Sequence, residues 1–178
     1  MKALVMIADG IEELETVTVT DILVRGGFDV TLASVNAMQV VAARGLRLTA
    51  DVLISDVSDN FDIIVCPGGL KGAENLAQSS VLTEYLEARH EAGKWIAAIC
   101  ASPALVLAPL KILHTHQATC YPAFHGHLSK YINQPVVVDR HIITSQGPAT
   151  AAQFALSIIA SLKGQDSAND VAKEALFA

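Results

Sequence analysis

Cys100 stands where an apolar run ends and a turn of small residues begins. The strand-like stretch 95–99 stops at this cysteine, Ala101 and Ser102 follow, and a helix-like run starts at Pro103. The pattern predicts a strand–turn–helix elbow with a thiol at its tip, as in the nucleophile elbow of hydrolases but with Cys in place of Ser. Free N–H groups and the helix dipole at such a tip favour the thiolate. The alternative interpretation is an inert, buried core cysteine.

Two glycines, Gly68 and Gly69, follow another apolar run, 62–66. Glycines at a strand end let the backbone approach a ligand closely, and their N–H groups can point at an anion. Together with the Ala101 N–H they predict an oxyanion hole near the Cys100 sulfur. An ordinary turn between a strand and a helix is the alternative.

Glu15 lies one turn into the first predicted helix, from which a carboxyl can reach a neighbouring strand end. Desolvation beside a thiolate would raise its pKa, so that a protonated Glu15 could donate a hydrogen bond to the sulfur and later move a substrate proton. The alternative is a solvated helix-face acid. That is how we interpret Glu12 and Glu13, which the dipole favours at a helix N-terminus.

Six histidines include two closely spaced pairs, His114-x-His116 and His125-x-His127. Residues i and i+2 of a strand share a face and can chelate a metal. Neither pair has a clear carboxylate or thiolate companion, and both lie in loop-like sequence, so we expect no metal site. A further thiol, Cys66, ends a strand core and is expected to be inert.

Short apolar stretches alternate with helix-like ones along the whole chain. Such alternation predicts an α/β sandwich around a mainly parallel sheet, with the reactive site beyond the carboxyl ends of the strands. The predicted strands are 3–8, 29–34, 40–43, 46–49, 62–66, 95–99, 118–120, 136–138 and 142–145. The predicted helices are 12–25, 74–77, 81–92, one beginning at 103–107, 148–162 and 168–176.

Composition narrows the class of protein. The 178 residues are 52% hydrophobic and 17% charged, with a net charge of −6, which suits a single domain over 1–178 with a substantial core. The sequence has no stripe of basic residues, so we expect no nucleic-acid partner. Three cysteines without paired spacing argue for a reducing compartment. With no signal-like or membrane-spanning stretch, we expect a soluble cytoplasmic protein.

Four segments together resemble the ThiJ/PfpI superfamily, on the branch of the Parkinson-disease-associated protein deglycase and the bacterial YajL. They occur in the family's order and cover nearly the whole chain. The segments are 9–17 (DGIEELETV), 65–69 (VCPGG), 97–103 (AAICASP) and 144–150 (TSQGPAT).

The resemblance implies a flavodoxin-like three-layer sandwich, a homodimer and no cofactor. It implies that Cys100 is the reactive cysteine, that Glu15 is a protonated glutamate hydrogen-bonded to it, and that the N–H groups of Gly69 and Ala101 line an anion pocket. It also places polar residues at the pocket rim or dimer interface, namely Asp21, Arg25, Arg44 and Tyr121.

One departure from the pattern concerns a possible base. Human-type relatives have a His where this chain has Tyr121, and an Arg where it has Gln146; the YajL-like branch also lacks that His. Without it, a Cys-His-acid triad is not supported, which weakens a protease or amidotransferase interpretation. His125 or His127 could substitute from the following loop.

Two functions remain open at this stage. The first is a glyoxalase or deglycase, in which Cys100 attacks methylglyoxal or a related 2-oxoaldehyde, or its adducts, and protects against carbonyl and oxidative stress. The second is a redox sensor or redox-regulated chaperone that works through oxidation of Cys100 and has little turnover. Cys120, if it is close to Cys100, would then be a resolving thiol. A thiamine-thiazole role has no phosphate-binding loop to support it.

Overall fold

The computed structural model describes residues 1–58 and 60–177. Nine strands are present in this part: β1 Lys2–Ile7, β2 Asp29–Ser34, β3 Gln39–Val41, β4 Arg47–Thr49, β5 Val52–Leu53, β6 Ile63–Cys66, β7 Trp95–Ile99, β8 Val136–Asp139 and β9 Ile142–Ser145. The α-helices are α1 Glu13–Arg25, α2 Leu70–Ala77, α3 Ser80–Glu91, α4 Ala151–Lys163 and α5 Gln165–Glu174.

Seven strands form one sheet in the order β5-β2-β1-β6-β7-β9-β8. All neighbours pair in parallel except β8, which runs antiparallel to β9 at the edge. The central strands β1 and β6 are apolar almost throughout and buried, as parallel strands covered on both faces must be. The predicted hairpin over 40–49 is present as the antiparallel pair β3–β4.

Helices cover the sheet, with α1 packed on α4 and α4 on α5, while α2 packs on α3. Strands β1, β6, β7 and β9 lie side by side in parallel, so their carboxyl ends meet at one edge of the sheet. The segments after these strands carry Asp9-Gly10, Pro67-Gly68-Gly69, Cys100 and Gln146-Gly147. The predicted α/β architecture is confirmed, and it brings the candidate residues together.

Two predicted elements differ in the structure. Residues 118–120 form no strand, because their pairing is reduced to a single bridge between Ala118 and Tyr131. The helix expected from Pro103 is a π-helical turn, Pro103–Leu107, followed by turns. This single turn is wider than an α-helical turn because its hydrogen bonds join residues five apart, and such turns are often found at functional sites.

Candidate active site

The elbow positions Cys100 through a left-handed backbone conformation, with φ of 64°. The Cys100 N–H donates to the carbonyl of Ser145 at 3.0 Å, and the Cys100 carbonyl accepts from the Tyr121 N–H at 2.7 Å. The flanking residues Ala98, Ala101 and Ser102 are small and buried, which leaves room for the sharp turn. An L-residue in this conformation is strained, so the surrounding contacts hold the thiol in place.

Gly68 and Gly69 are glycines because the site leaves no room for a side chain. A Cβ on Gly68 would lie 2.4 Å from the Cys100 Cβ and 2.8 Å from Glu15 Oε2. A Cβ on Gly69, whose φ is 80°, would lie 2.5 Å from the Gly10 carbonyl oxygen. The backbone after β6 therefore packs directly against both the thiol and the carboxyl.

Glu15 is fully buried, and its carboxyl is held by the backbone. The Gly68 N–H donates to Glu15 Oε2 at 2.7 Å, whereas Oε1 has no hydrogen-bond partner within the described residues. Because Oε2 is engaged, Oε1 is the oxygen that would carry a proton. Burial raises the pKa of Glu15 to about 7, and the hydrogen bond from Gly68 opposes that rise.

The thiol and the carboxyl interact as a pair. Burial raises the pKa of Cys100 to about 12, and the Glu15 carboxylate adds to the rise, while N–H groups of Gly69 and Ala101 hydrogen-bond the sulfur and lower it. The two N–H donors favour the thiolate, as predicted for the elbow, but burial works against them. Desolvation outweighs the two N–H donors, so the pKa of the Cys100 thiol is raised overall.

The two predicted glycine donors have different partners. Gly69, with Ala101, faces the sulfur as expected. Gly68 does not contribute to that pocket, because its N–H is already bound to Glu15. Gly68 therefore holds the carboxyl rather than an anion.

A cavity of about 390 Å³ opens onto Cys100, whose residue surface is 9% exposed. Its lining includes two of the predicted rim residues, Arg44 and Tyr121, and several that the sequence analysis did not identify as lining it. The latter are Glu12, Ala43, Leu70, Phe124 and Pro148. Ala43 and Arg44 come from the β3–β4 hairpin, so the hairpin forms one wall of the cavity.

Arg44 is the basic residue of this lining, and its side chain is 74% exposed at the rim. The Arg44 guanidinium lies 3.8 Å from Glu12 Oε2, and the backbone N–H of Arg44 donates to Glu13 Oε1. Although Glu12 is largely buried, the long separation and the solvent around the guanidinium keep this ion pair weak. The guanidinium is therefore free to swing towards a negatively charged group in the cavity.

Asp21 and Arg25 do not line the cavity. They form an exposed ion pair at 2.7 Å along α1, and Arg25 also lies 3.8 Å from Glu174 of α5. The sequence pattern predicts the helix that contains Asp21 and Arg25, but it does not predict that their side chains point away from the cavity. Their place at a dimer interface stays a prediction.

None of the proposed substitutes for the missing base lies in the cavity lining. His125 and His127 are exposed on the 3₁₀ helix Pro122–His127, and His125 Nδ1 lies 2.9 Å from the Pro122 carbonyl oxygen. Cys120 is fully buried, and its thiol donates to the Tyr121 carbonyl. The structure thus leaves Glu15 as the titratable group beside the thiol.

Comparison with known proteins decides the family. A model described as the DJ-1/PfpI family matches residues 1–161. The chain belongs to the DJ-1/PfpI family. The solved structure of oxidized DJ-1 from Toxoplasma gondii matches with a TM-score of 0.96 and 40% identity, covering 98% of this chain and 97% of that one. The predicted family and its flavodoxin-like fold are confirmed.

Two curated relatives in the DJ-1/PfpI family carry different information. Protein DJ-1 homolog B of Arabidopsis thaliana is 42% identical over 97% of this chain but only 40% of its own length, so the chain spans about two fifths of that protein. Glutathione-independent glyoxalase DJR-1.2 of Caenorhabditis elegans is 37% identical over 91% of this chain and 88% of its own length.

Within residues 1–58 and 60–177, no helix combines the length and apolarity needed to span a bilayer.

Proposed function

We propose that this chain is a cysteine-dependent, cofactor-independent glyoxalase that converts methylglyoxal and related small 2-oxoaldehydes into hydroxy acids. The observation that supports this most is the buried Glu15 carboxyl beside the Cys100 thiol, with a pKa raised to about 7. A proton-transfer group is most effective when its pKa lies near the working pH. The C. elegans relative named a glutathione-independent glyoxalase supports the same activity.

In the proposed mechanism, Glu15 first acts as a base. Its carboxylate takes the thiol proton while the sulfur attacks the aldehyde carbon, and it returns that proton to the aldehyde oxygen to give a hemithioacetal. The N–H groups of Gly69 and Ala101 hydrogen-bond the sulfur at rest, so they would stabilise the negative charge on the sulfur as its proton leaves. The fixed backbone donors need no rearrangement for this step.

The same carboxylate then moves a second proton. It removes the proton from the former aldehyde carbon to give an enediolate and delivers that proton to the adjacent carbon. The hydroxyl proton passes from the former aldehyde oxygen to the former ketone oxygen, so that a thioester of the hydroxy acid results. Water cleaves the thioester, releasing the hydroxy acid and regenerating the thiol. The sum is one 2-oxoaldehyde plus one water giving one hydroxy acid, and no external oxidant or reductant is consumed.

The shape and charge of the cavity fit such a substrate. Its volume of about 390 Å³ is small, Tyr121 and Phe124 supply apolar walls, and Arg44 stands at the rim. The guanidinium would attract the carboxylate product or an anionic substituent. Adducts of methylglyoxal on side chains or nucleotides would undergo the same chemistry at the rim, and their removal would be observed as deglycation.

The testing experiment is methylglyoxal consumption with enzymatic detection of lactate. The untreated, reduced chain is expected to form one lactate per methylglyoxal consumed, without glutathione or metal. Because Glu15 must be ionised to act as the base, kcat/KM is expected to rise with pH and level off above an apparent pKa of about 7. No lactate above the buffer background, or a kcat/KM that is flat between about pH 5.5 and 8.5, would contradict the proposal.

A second candidate function is reversible oxidation of Cys100. The two N–H donors at the sulfur, and the Glu15 carboxyl when protonated, would hold the oxygens of a sulfinate. If the lactate assay is negative, peroxide treatment followed by peptide mass spectrometry would show whether Cys100 gains two oxygens ahead of Cys66 and Cys120. The buried Cys120, outside the cavity, gives no support to a resolving disulfide.

We further propose that the chain forms a homodimer. The apolar residues Leu14, Val17 and Val24 of α1 are about half exposed, as are Val41 and Leu46 of the hairpin. Exposed apolar side chains clustered on adjoining elements are typical of a protein interface. Light scattering on the purified chain is expected to give twice the chain mass, and a monomer mass at micromolar concentration would contradict the dimer.

A further inference from the structure

Three histidines from different parts of the chain form a cluster away from the cavity. His90 lies in the last turn of α3, His116 follows the turns after the π-helical segment, and His141 directly precedes β9. Their ring centroids are 5.2–5.5 Å apart. One ligand nitrogen from each ring lies within 4.8 Å of the others.

The spacing of two of these nitrogens already suits a shared ion. His90 Nδ1 and His141 Nε2 are 3.2 Å apart. Two nitrogens each about 2.0–2.1 Å from a tetrahedral Zn²⁺ are separated by about 3.4 Å. The cluster therefore needs only a modest side-chain rotation to bring the third imidazole into contact with the same ion.

His116 supplies an independent observation that points to a ligand. Its side chain is 1% exposed, and its Nε2 is buried without a hydrogen-bond partner in the described part of the chain. Its other nitrogen, Nδ1, lies 3.2 Å from the Asp139 carbonyl oxygen and 3.7 Å from Asp139 Oδ2. A proton on Nδ1 would be donated to Asp139, leaving a buried lone pair on Nε2 with nothing to accept.

This arrangement is the one that metal-binding histidines adopt. The non-ligating nitrogen of such a histidine usually donates to a carboxylate or a backbone carbonyl, which fixes the ring and makes the ligating nitrogen more basic. Asp139 offers both kinds of acceptor to His116. The nearby Arg140 guanidinium is engaged with Asp139 Oδ1 and the Thr115 carbonyl, so its charge is partly compensated.

We propose that His90, His116 and His141 form a binding site for a divalent transition-metal ion, with Asp139 orienting His116. Three neutral imidazoles suit Zn²⁺, Ni²⁺ or Cu²⁺ rather than the oxygen-seeking Mg²⁺ or Ca²⁺. Three protein ligands leave a fourth position for water. His90 and His141 are partly exposed, so an ion can enter from solvent.

The site lies at the opposite end of the sheet from Cys100. His141 and the segment between His90 and β7 come before the amino ends of β9 and β7, whereas Cys100 follows the carboxyl end of β7. The His141 carbonyl accepts from the Ile96 N–H near the start of β7. Metal binding there is therefore distinct from any metal capture by the thiol.

No metal site is expected from the sequence, because the histidines that are close in sequence lack a companion ligand. The chelating partners of His116 are 26 and 25 residues away, as its number and those of His90 and His141 show. His114 is exposed, and His125 and His127 lie on another element. Only the sheet topology brings the three rings together.

The test uses the full chain without an affinity tag, freed of metal by dialysis against a chelator, in a Cys100→Ser background. Zn²⁺ is titrated in competition with a chromophoric chelator, and Co²⁺ is added separately to record its visible spectrum. We expect one Zn²⁺ per chain and a Co²⁺ spectrum without a thiolate charge-transfer band. His90→Gln and His141→Gln, both at partly exposed positions, are expected to weaken Zn²⁺ binding by at least about 100-fold, and Asp139→Asn by about 10-fold.

The control is His125→Gln combined with His127→Gln, which should leave Zn²⁺ affinity unchanged. Circular dichroism of each variant shows whether it is folded, and Zn²⁺ should raise the Tm of the parent but not that of folded His141→Gln. The proposal is overturned if the parent takes up no Zn²⁺, if folded His90→Gln and His141→Gln bind it as tightly as the parent, or if the control variant loses it.

Discussion

Cys100→Ser is expected to abolish lactate formation from methylglyoxal, lowering kcat/KM by at least about 1,000-fold. A serine hydroxyl is a far weaker nucleophile than a thiol and is harder to deprotonate, so the Glu15 carboxylate activates it much less. The fold should survive, because oxygen replaces sulfur at the tip of the same elbow. Circular dichroism and thermal melting of the variant, beside the lactate assay, check both parts.

The matched control for this substitution is Cys120→Ala. Cys120 is also a buried free cysteine, but it does not line the cavity. Its variant should keep kcat/KM within about threefold of the parent. Lactate formation by folded Cys100→Ser at more than a tenth of the parent rate would show that the thiol is not the nucleophile.

Glu15→Gln is expected to change activity and stability in opposite directions. An amide cannot carry the two proton transfers, so kcat/KM should fall by about 100- to 10,000-fold, the usual contribution of general acid–base catalysis. Glutamine still offers an oxygen to the Gly68 N–H, so the hydrogen bond that holds residue 15 is retained. The loss of activity should therefore not reflect a loss of structure.

The effect on stability depends on pH. Folding raises the pKa of Glu15 from 4.5 to about 7, so the folded chain binds this proton more tightly than the unfolded chain does. The resulting stabilisation is complete below about pH 4.5 and is lost as pH rises to about 7, with a full size of about 3 kcal/mol. Glutamine has no proton to lose.

Thermal melts should therefore show Glu15→Gln close to the parent at pH 5 and more stable at pH 8. A gain of about 3 kcal/mol at pH 8 corresponds to a rise in Tm of roughly 6–12 °C for a chain of this length. Glu87→Gln, at an exposed carboxyl of α3, is the control and should show no such pH-dependent gain. A folded Glu15→Gln that is less stable than the parent at pH 8, or that keeps its activity, would contradict the assigned role.

Sequence reasoning predicted the fold well where the hydrophobic pattern is strong. The run 95–99 is short and apolar, and 142–145 begins with two isoleucines; the structure has β7 and β9 over these ranges, with the expected bounds. Residues 118–120 failed because a short apolar run does not by itself supply a neighbouring strand, and the chain offers Ala118 only one bridge. The extent of one domain over 1–178 stays a prediction.

The candidate site was predictable in part. Cys100, Gly68 and Gly69 could be identified from the local sequence, since small residues directly after a strand-like run predict a tight turn. The residues that line the walls of the cavity were not predictable in this way, because Ala43 and Phe124 lie in segments whose sequence has no motif that indicates a site. The rise in the pKa of the Cys100 thiol was not predictable either, because desolvation depends on the tertiary packing around Cys100 and Glu15 and not on the local turn.

Strand β7 separates the cluster of His90, His116 and His141 from the Cys100–Glu15 pair. Its five residues, Trp95–Ile99, span about 16 Å at the usual rise per residue, and β9 runs beside it. Groups that far apart and without shared partners usually contribute additively to free energy. We therefore expect substitutions in the imidazole cluster and in the thiol–carboxyl pair to act independently, so that either group can be redesigned while the other reports on whether the fold is intact.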